Sequence, residues 1–320
     1  MDAVSATHEA IVGLPVGLAR EDWTGDARFH EYTRAANPVG RTTSLVPVRS
    51  FPASLHAGAP TGIIPLDLSG DLAVEGPATS PALLASFVSV RSGEQVRTEP
   101  RATSELYVVM SGAGTTVVDD EHAVDWEAGD VVVLPGGCRS THVATADATL
   151  YWVTDEPLLR YLGVAPTERR LRPTLFPAAR CAEELARVAA DPAAARRNRV
   201  SVLLNNADQP QTLTATHVLW AMVGLLPVGA VQRPHRHQSV ALDLILDCGV
   251  GCYTLVGPRL ADDGTILDPV RVDWEAGGAF VTPPGWWHAH HNESGVEAHL
   301  LPVQDAGLHT YLRTLDIRFT

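Results

Sequence analysis

Apolar residues in this chain come in short runs broken by glycine and proline, and few stretches hold a helical spacing. Leu83-Leu-Ala-Ser-Phe-Val-Ser-Val and Val218-Leu-Trp-Ala-Met-Val-Gly-Leu-Leu are two such runs. Each is followed by a β-rich run ending in Gly-x-Gly, a Trp-Glu-Ala-Gly turn, a second apolar run and a Pro-Gly turn. This is the punctuation of short antiparallel strands. The grammar also repeats. Residues 124–129 read Val-Asp-Trp-Glu-Ala-Gly, and residues 272–277 read the same six. The same offset carries Val133 onto Val281 and Pro135 onto Pro283. Upstream, Ser111-Gly-Ala-Gly-Thr-Thr resembles Cys248-Gly-Val-Gly-Cys-Tyr. Collinear flanks of this kind predict two homologous domains. The expected fold is all-β, two jelly-roll barrels joined by a short helical linker.

The first barrel is expected over residues 81–165 and the second over 212–320. Residues 166–211 form the linker, where Leu185 and Val188 sit at helical spacing among good helix formers. Asp191-Pro192 begins a second short helix there. Residues 1–80 are proline- and glycine-punctuated, an extension expected to pack on the first barrel.

Composition narrows the function classes. Of 320 residues, 45% are hydrophobic and 19% charged, a globular balance rather than a disordered one. The formal net charge of −13 disfavours nucleic acid and anionic membranes as partners. No apolar run reaches the length of a transmembrane helix, and the first residues lack a signal-peptide pattern. Of four cysteines only Cys248 and Cys252 are close, so reduced thiols in a cytoplasmic protein are expected rather than a zinc site.

The chemistry concentrates in the second copy. His235-Arg-His237 follows Gly229 as Gly-x5-His-x-His. Residues two apart on a strand share a face, so both imidazoles can enter the barrel and share one ion. Gly277-x5-Pro283-x-Gly285-x2-His288-x3-Asn292 supplies a third imidazole on a later strand. The metal ligands read from this pattern are His235, His237 and His288. Imidazole suits iron, zinc, copper or nickel. Neither Ala241 nor Leu242, four and five residues after His237, offers a carboxylate, so a three-histidine site with open positions is expected. The first copy has no histidine over residues 97–105. Its His142 falls two positions late for a ligand, so that barrel is expected to carry no metal.

Both motifs match the consensus motifs of the cupin superfamily. The runs Pro234-His-Arg-His-Gln-Ser-Val-Ala-Leu, Gly251-Cys-Tyr-Thr-Leu-Val-Gly and Thr282-Pro-Pro-Gly-Trp-Trp-His-Ala-His-His-Asn resemble the metal-binding cupin of the gentisate and salicylate 1,2-dioxygenases. The resemblance implies an iron(II)-dependent bicupin that cleaves a hydroxylated aromatic ring with O2, assembled as a homo-oligomer. It implies that His290 is a catalytic, substrate-proximal histidine and that Trp220 lines the pocket, and it points to Arg199 near it. Neighbours alternate on a strand, so one of Trp286 and Trp287 should face the pocket; Trp287 is the candidate.

Three departures accompany the resemblance. The metal-binding barrel is second rather than first. Gly224 replaces a pocket glutamine, and Asp243 stands where that family has an arginine for the substrate carboxylate. An inward aspartate repels a carboxylate and favours a substrate with an amine, a phenol or a neutral ring; an outward one would be a solvated surface group. Two other readings of the same fold are a non-catalytic small-molecule-binding bicupin with a structural metal, and a metal-dependent cupin isomerase or decarboxylase.

Overall fold

The structure, a computed structural model, describes residues 23–320. Two units are distinguished, residues 1–42 and 43–320. The described part of the first holds one short helix, Tyr32–Ala35, whose leading N–H groups are capped by the Glu31 carboxylate. The second holds both barrels.

The first barrel is an eight-stranded sheet, with the order Gly62–Pro65, Leu84–Val90, Ser140–Thr154, Ser104–Val118, Val131–Pro135, Thr174–Phe176. Gln95–Thr98 and His122–Glu127 pair with the two 15-residue strands in the middle. Those long strands curl because their pairing register shifts between Val109 and Gly114. Gly112 makes the bend possible: its φ is +84°, and a side chain there would meet the Asp147 carbonyl at 2.4 Å.

The second barrel has two sheets. One runs Arg49–Phe51, Ala279–Thr282, Ala241–Asp247, Ala298–Gln304, Trp220–Leu226, Val200–Leu204. The other runs Val270–Asp273, Cys252–Gly257, Trp287–Asn292, His235–Arg236, Arg318–Phe319. Alternation along these strands divides the core. Val223, Leu225, Leu242, Leu244, Leu301 and Val303 join Phe87, Leu106, Val108, Tyr151 and Val153 in one cluster between the barrels. Leu226, Ile245, Val256, Phe280 and Leu300 fill the interior of the second. Each such side chain, fully buried, contributes roughly 1.5–3 kcal/mol, so the shared face ties the two barrels into one body.

Of the extension expected over residues 1–80, residues 1–22 lie outside the described residues, and residues 49–65 serve both barrels rather than the first alone. Gly62–Pro65 pairs with Leu84–Val90, but Arg49–Phe51 pairs with Ala279–Thr282 of the second. The linker is likewise more than helical. Thr174–Phe176 extends the first barrel's sheet and Val200–Leu204 extends the second's, with the helix Ala178–Ala189 and one 3-10 turn, Ala194–Arg196, between them. Each connecting segment covers a sheet edge that would otherwise present unpaired N–H and C=O groups. Leu185 is the helix's buried residue. Two further helices, Glu156–Leu162 and Ala306–Leu312, follow the matching strands Ser140–Thr154 and Ala298–Gln304 of the two barrels. Among the described residues no helix is long and apolar enough to cross a membrane.

Candidate metal centre

His235 lies on a two-residue strand, directly opposite His288 in the neighbouring strand. His237, two residues on, falls on the same side. Each of the three offers a ring nitrogen within 4.8 Å of the others, and the rings are 1–3% exposed. Among the described residues this is the group of side chains able to hold a metal ion.

The second nitrogen of each ring decides which one remains for a metal. His237 Nδ1 donates to the Ser239 carbonyl at 2.9 Å. The Ser239 hydroxyl, in turn, donates to Gln304 Oε1 at 2.8 Å. His288 Nδ1 donates to the Trp286 carbonyl at 3.1 Å. Both rings thereby keep an Nε2 lone pair for the interior, the usual arrangement of metal-ligating histidines. His237 Nε2 is buried without a partner, and so is His235 Nδ1. Burial pushes His237 down to about 4 and holds His235 and His288 well below the ordinary imidazole range. Neutral imidazole is the form that ligates, so a divalent first-row metal fits this donor set.

Around the three histidines stand most of the other candidates. His290 is fully buried, two residues beyond His288 on the same inner face. Its Nδ1 is 2.7 Å from Thr254 Oγ1, which accepts the Trp274 indole N–H at 2.8 Å. Arg199 reaches inward from just before its strand: Nη2 is 2.5 Å from His235 Nε2 and 3.4 Å from His290 Nε2. Burial lowers its pKa to about 10 while Asp243 favours its charged form, so it remains a cation at neutral pH. Asp243 faces the interior, because Leu242 and Leu244 on either side belong to the cluster between the barrels. It is 2% exposed and accepts the Thr282 hydroxyl at 2.8 Å. Burial raises its carboxyl to about 6, against the opposing pull of Thr282 and Arg199. Trp220 shares a strand face with Met222, whose sulfur is 3.4 Å from Arg199 Nη1. The Trp220 indole N–H is buried without an acceptor.

Trp287 does not join them. It alternates with His288 and His290 onto the outer face, where the Arg236 guanidinium lies 5.5 Å from its ring. Trp286 is the one that packs on the interior cluster. A turn precedes the strand, and the position of that turn, which pattern alone does not show, sets the parity of the pair. His291 stacks on Tyr253 on the outer face, and His299 pairs with Asp247.

The first barrel keeps part of this arrangement. His142 Nδ1 is 2.8 Å from Thr116 Oγ1, which accepts the Trp126 indole N–H at 2.9 Å. His142 is therefore the counterpart of His290, not of a ligand. The pair Thr98 and Ser140 stands where the second barrel pairs His235 and His288. The threonine–tryptophan support of His290 escaped the sequence reading, although the repeated Trp-Glu-Ala-Gly carried half of its signal. Phe319, which stacks on His235, escaped it as well.

No family model matches the chain. A 5-aminosalicylate 1,2-dioxygenase from Comamonas sp. is 34% identical over 129 residues, which span 37% of this chain and 34% of that protein. Gentisate 1,2 dioxygenase 1 of Aquipseudomonas alcaligenes is 30% identical over 93 residues, 29% of this chain and 23% of that protein. The matches thus span about a third or less of these relatives' own length. Among solved structures, a salicylate 1,2-dioxygenase from Pseudaminobacter salicylatoxidans superposes with a TM-score of 0.66 at 13% identity, covering 85% of this chain and 88% of that one. The same enzyme with gentisate gives 0.68 at 14% identity, covering 86% of each chain. The protein has the double-barrel cupin fold of these salicylate 1,2-dioxygenase structures, and part of its chain is related in sequence to 5-aminosalicylate and gentisate 1,2-dioxygenases.

Proposed function

We propose that this protein is an iron(II)-dependent dioxygenase that opens a hydroxylated aromatic ring, including amino-bearing ones, with O2. The observation that carries the reading is the orientation of the imidazoles. His237 and His288 turn Nδ1 to backbone carbonyls and keep Nε2 for an interior shared with His290, Trp220, Arg199 and Asp243. The partial sequence similarity to 1,2-dioxygenases of aminosalicylate and gentisate supports the substrate class. His235, His237 and His288 would hold the iron(II), which would supply Lewis-acid activation of a phenol and of O2.

The remaining work falls to the chain. In ring opening, both atoms of O2 enter the product as one ring carbon–carbon bond breaks, so no external reductant is needed. His290, held through Nδ1 by Thr254, turns Nε2 to the interior, where it faces Arg199 at 3.4 Å and can take the proton of the substrate hydroxyl. The Trp220 N–H can donate to a polar substituent. Arg199 is a cation partly offset by Asp243, and that balance favours a ring carrying an amine or a neutral group over one whose carboxylate must be clamped. Four free cysteines accord with a reducing cytoplasm, and we extend the proposal to a homo-oligomer there.

The test is anaerobic loading with iron(II), followed by oxygen uptake against phenols, aminophenols, aminosalicylates and gentisate. Uptake with one molecule of O2 consumed per ring opened is the expected result. Iron bound at full occupancy without uptake on any of these substrates would overturn the reading.

A further inference from the structure

The three candidate ligands are not held alike. His237 and His288 each have Nδ1 fixed by a backbone carbonyl, whereas His235 has no carbonyl partner: its Nδ1 is buried without one, and its ring is met by a side chain, Arg199 Nη2 at 2.5 Å from Nε2. Its strand is only two residues long, too short to hold a ligand by its own pairing. What lies against it is the edge strand Arg318–Phe319, in register His235 to Phe319 and Arg236 to Arg318. The contact continues at both ends. Asp316 N–H donates to Gln238 Oε1 at 2.9 Å, and Thr320 N–H donates to the Pro234 carbonyl at 3.1 Å. Residues 316–320 therefore cross residues 234–238 along their whole length. Directly opposed residues share a face of a sheet, so Phe319 is on the side of the imidazole. The two rings stack with centroids 5.9 Å apart and planes 20° from parallel. His235 is 2% exposed and Phe319 is 55% exposed, so the phenyl ring forms the outer cover of the imidazole.

We propose that residues 316–320 are a strap that holds the first ligand of the metal centre, with Phe319 as the positioning residue for His235. The inference rests on the metal reading above. In place of a carbonyl, the aromatic face, together with Arg199 at Nε2, fixes the plane of the His235 ring, and the phenyl keeps water from the side of the barrel that its strand leaves thin. Loss of the groups that orient ligating histidines typically weakens metal binding by about 10–100-fold.

The experiment measures the apparent dissociation constant for Co(II) by competition with a chromophoric chelator, together with the Co(II) absorption bands. It compares the full wild-type chain with Phe319→Ala and Phe319→Trp. Phe319→Ala is expected to bind about 10-fold more weakly, with altered bands, and Phe319→Trp to bind as the wild type does. Equal affinity and unchanged bands in Phe319→Ala would overturn the strap. If circular dichroism shows that Phe319→Ala does not fold, Phe319→Leu, which keeps the bulk but not the ring face, is read by the same criterion. Wild-type protein that binds no Co(II) removes the metal reading and the strap together. Wild-type binding with an indifferent Phe319 removes the strap alone.

Discussion

Asp243 changes what the interior of the second barrel can hold. A carboxylate buried beside Thr282 and near Arg199 makes the pocket less cationic than an arginine alone would. Replacing it should show on the substrate rather than on the metal. Asp243→Arg is expected to raise, by about tenfold, the ratio of kcat/KM for a carboxylate-bearing aromatic to that for a carboxylate-free one. Charge-assisted pairing to a carboxylate is worth enough for that shift. Steady-state kinetics at matched iron content reads it. An unchanged ratio would mean that Asp243 does not meet the substrate, and the preference for amino-bearing or neutral rings would lose its support.

At the scale of the element, the strand Ser104–Val118 brings a carboxyl into the first barrel's interior. Glu105 is fully buried and accepts from the Tyr107 hydroxyl at 2.6 Å and the Trp152 indole at 3.2 Å. Burial raises its pKa from 4.5 to about 8. Over that interval the folded state holds a proton that the unfolded state has released, so stability falls as pH rises. The contribution is complete below the unfolded pKa and is lost as pH climbs through about 8. Glu105→Gln keeps an acceptor without the titration. Its melting temperature relative to wild type should therefore rise between about pH 5 and pH 9, by at most about 1.4 kcal/mol of stability per pH unit. Thermal melts across that range check it, and a difference that stays flat would show that Glu105 does not titrate in the interval.

Among the described residues, the molecule repeats one Trp–Thr–His device in two barrels and has a single set of candidate ligands. Trp126–Thr116–His142 and Trp274–Thr254–His290 are the same construction. Only the second barrel adds three neighbouring imidazoles, where the first has Thr98 and Ser140 at the two paired positions. The expected stoichiometry is one metal per chain, dropping below about a tenth in His288→Ala, because two imidazoles make a poor site. Metal analysis of the purified proteins measures both. A second ion, or full occupancy in the variant, would break the assignment of one site to one barrel.

The sequence by itself determined the double barrel and the three histidines that come together in its second copy. Repetition reports common architecture, and strand spacing is strict enough to place His235, His237 and His288 on one side. Other features are set by contacts between residues far apart along the chain. Arg49–Phe51 joins the second barrel because an edge there needs covering, although the chain enters the first barrel next. The inward turn of Asp243, the outward turn of Trp287 and the inward place of Trp286 depend on where each loop ends and its strand begins. A single-residue change in that position reverses every face after it. Phe319 lies more than 80 residues from His235, and no local pattern marks it. Tertiary pairing alone brings the two rings together.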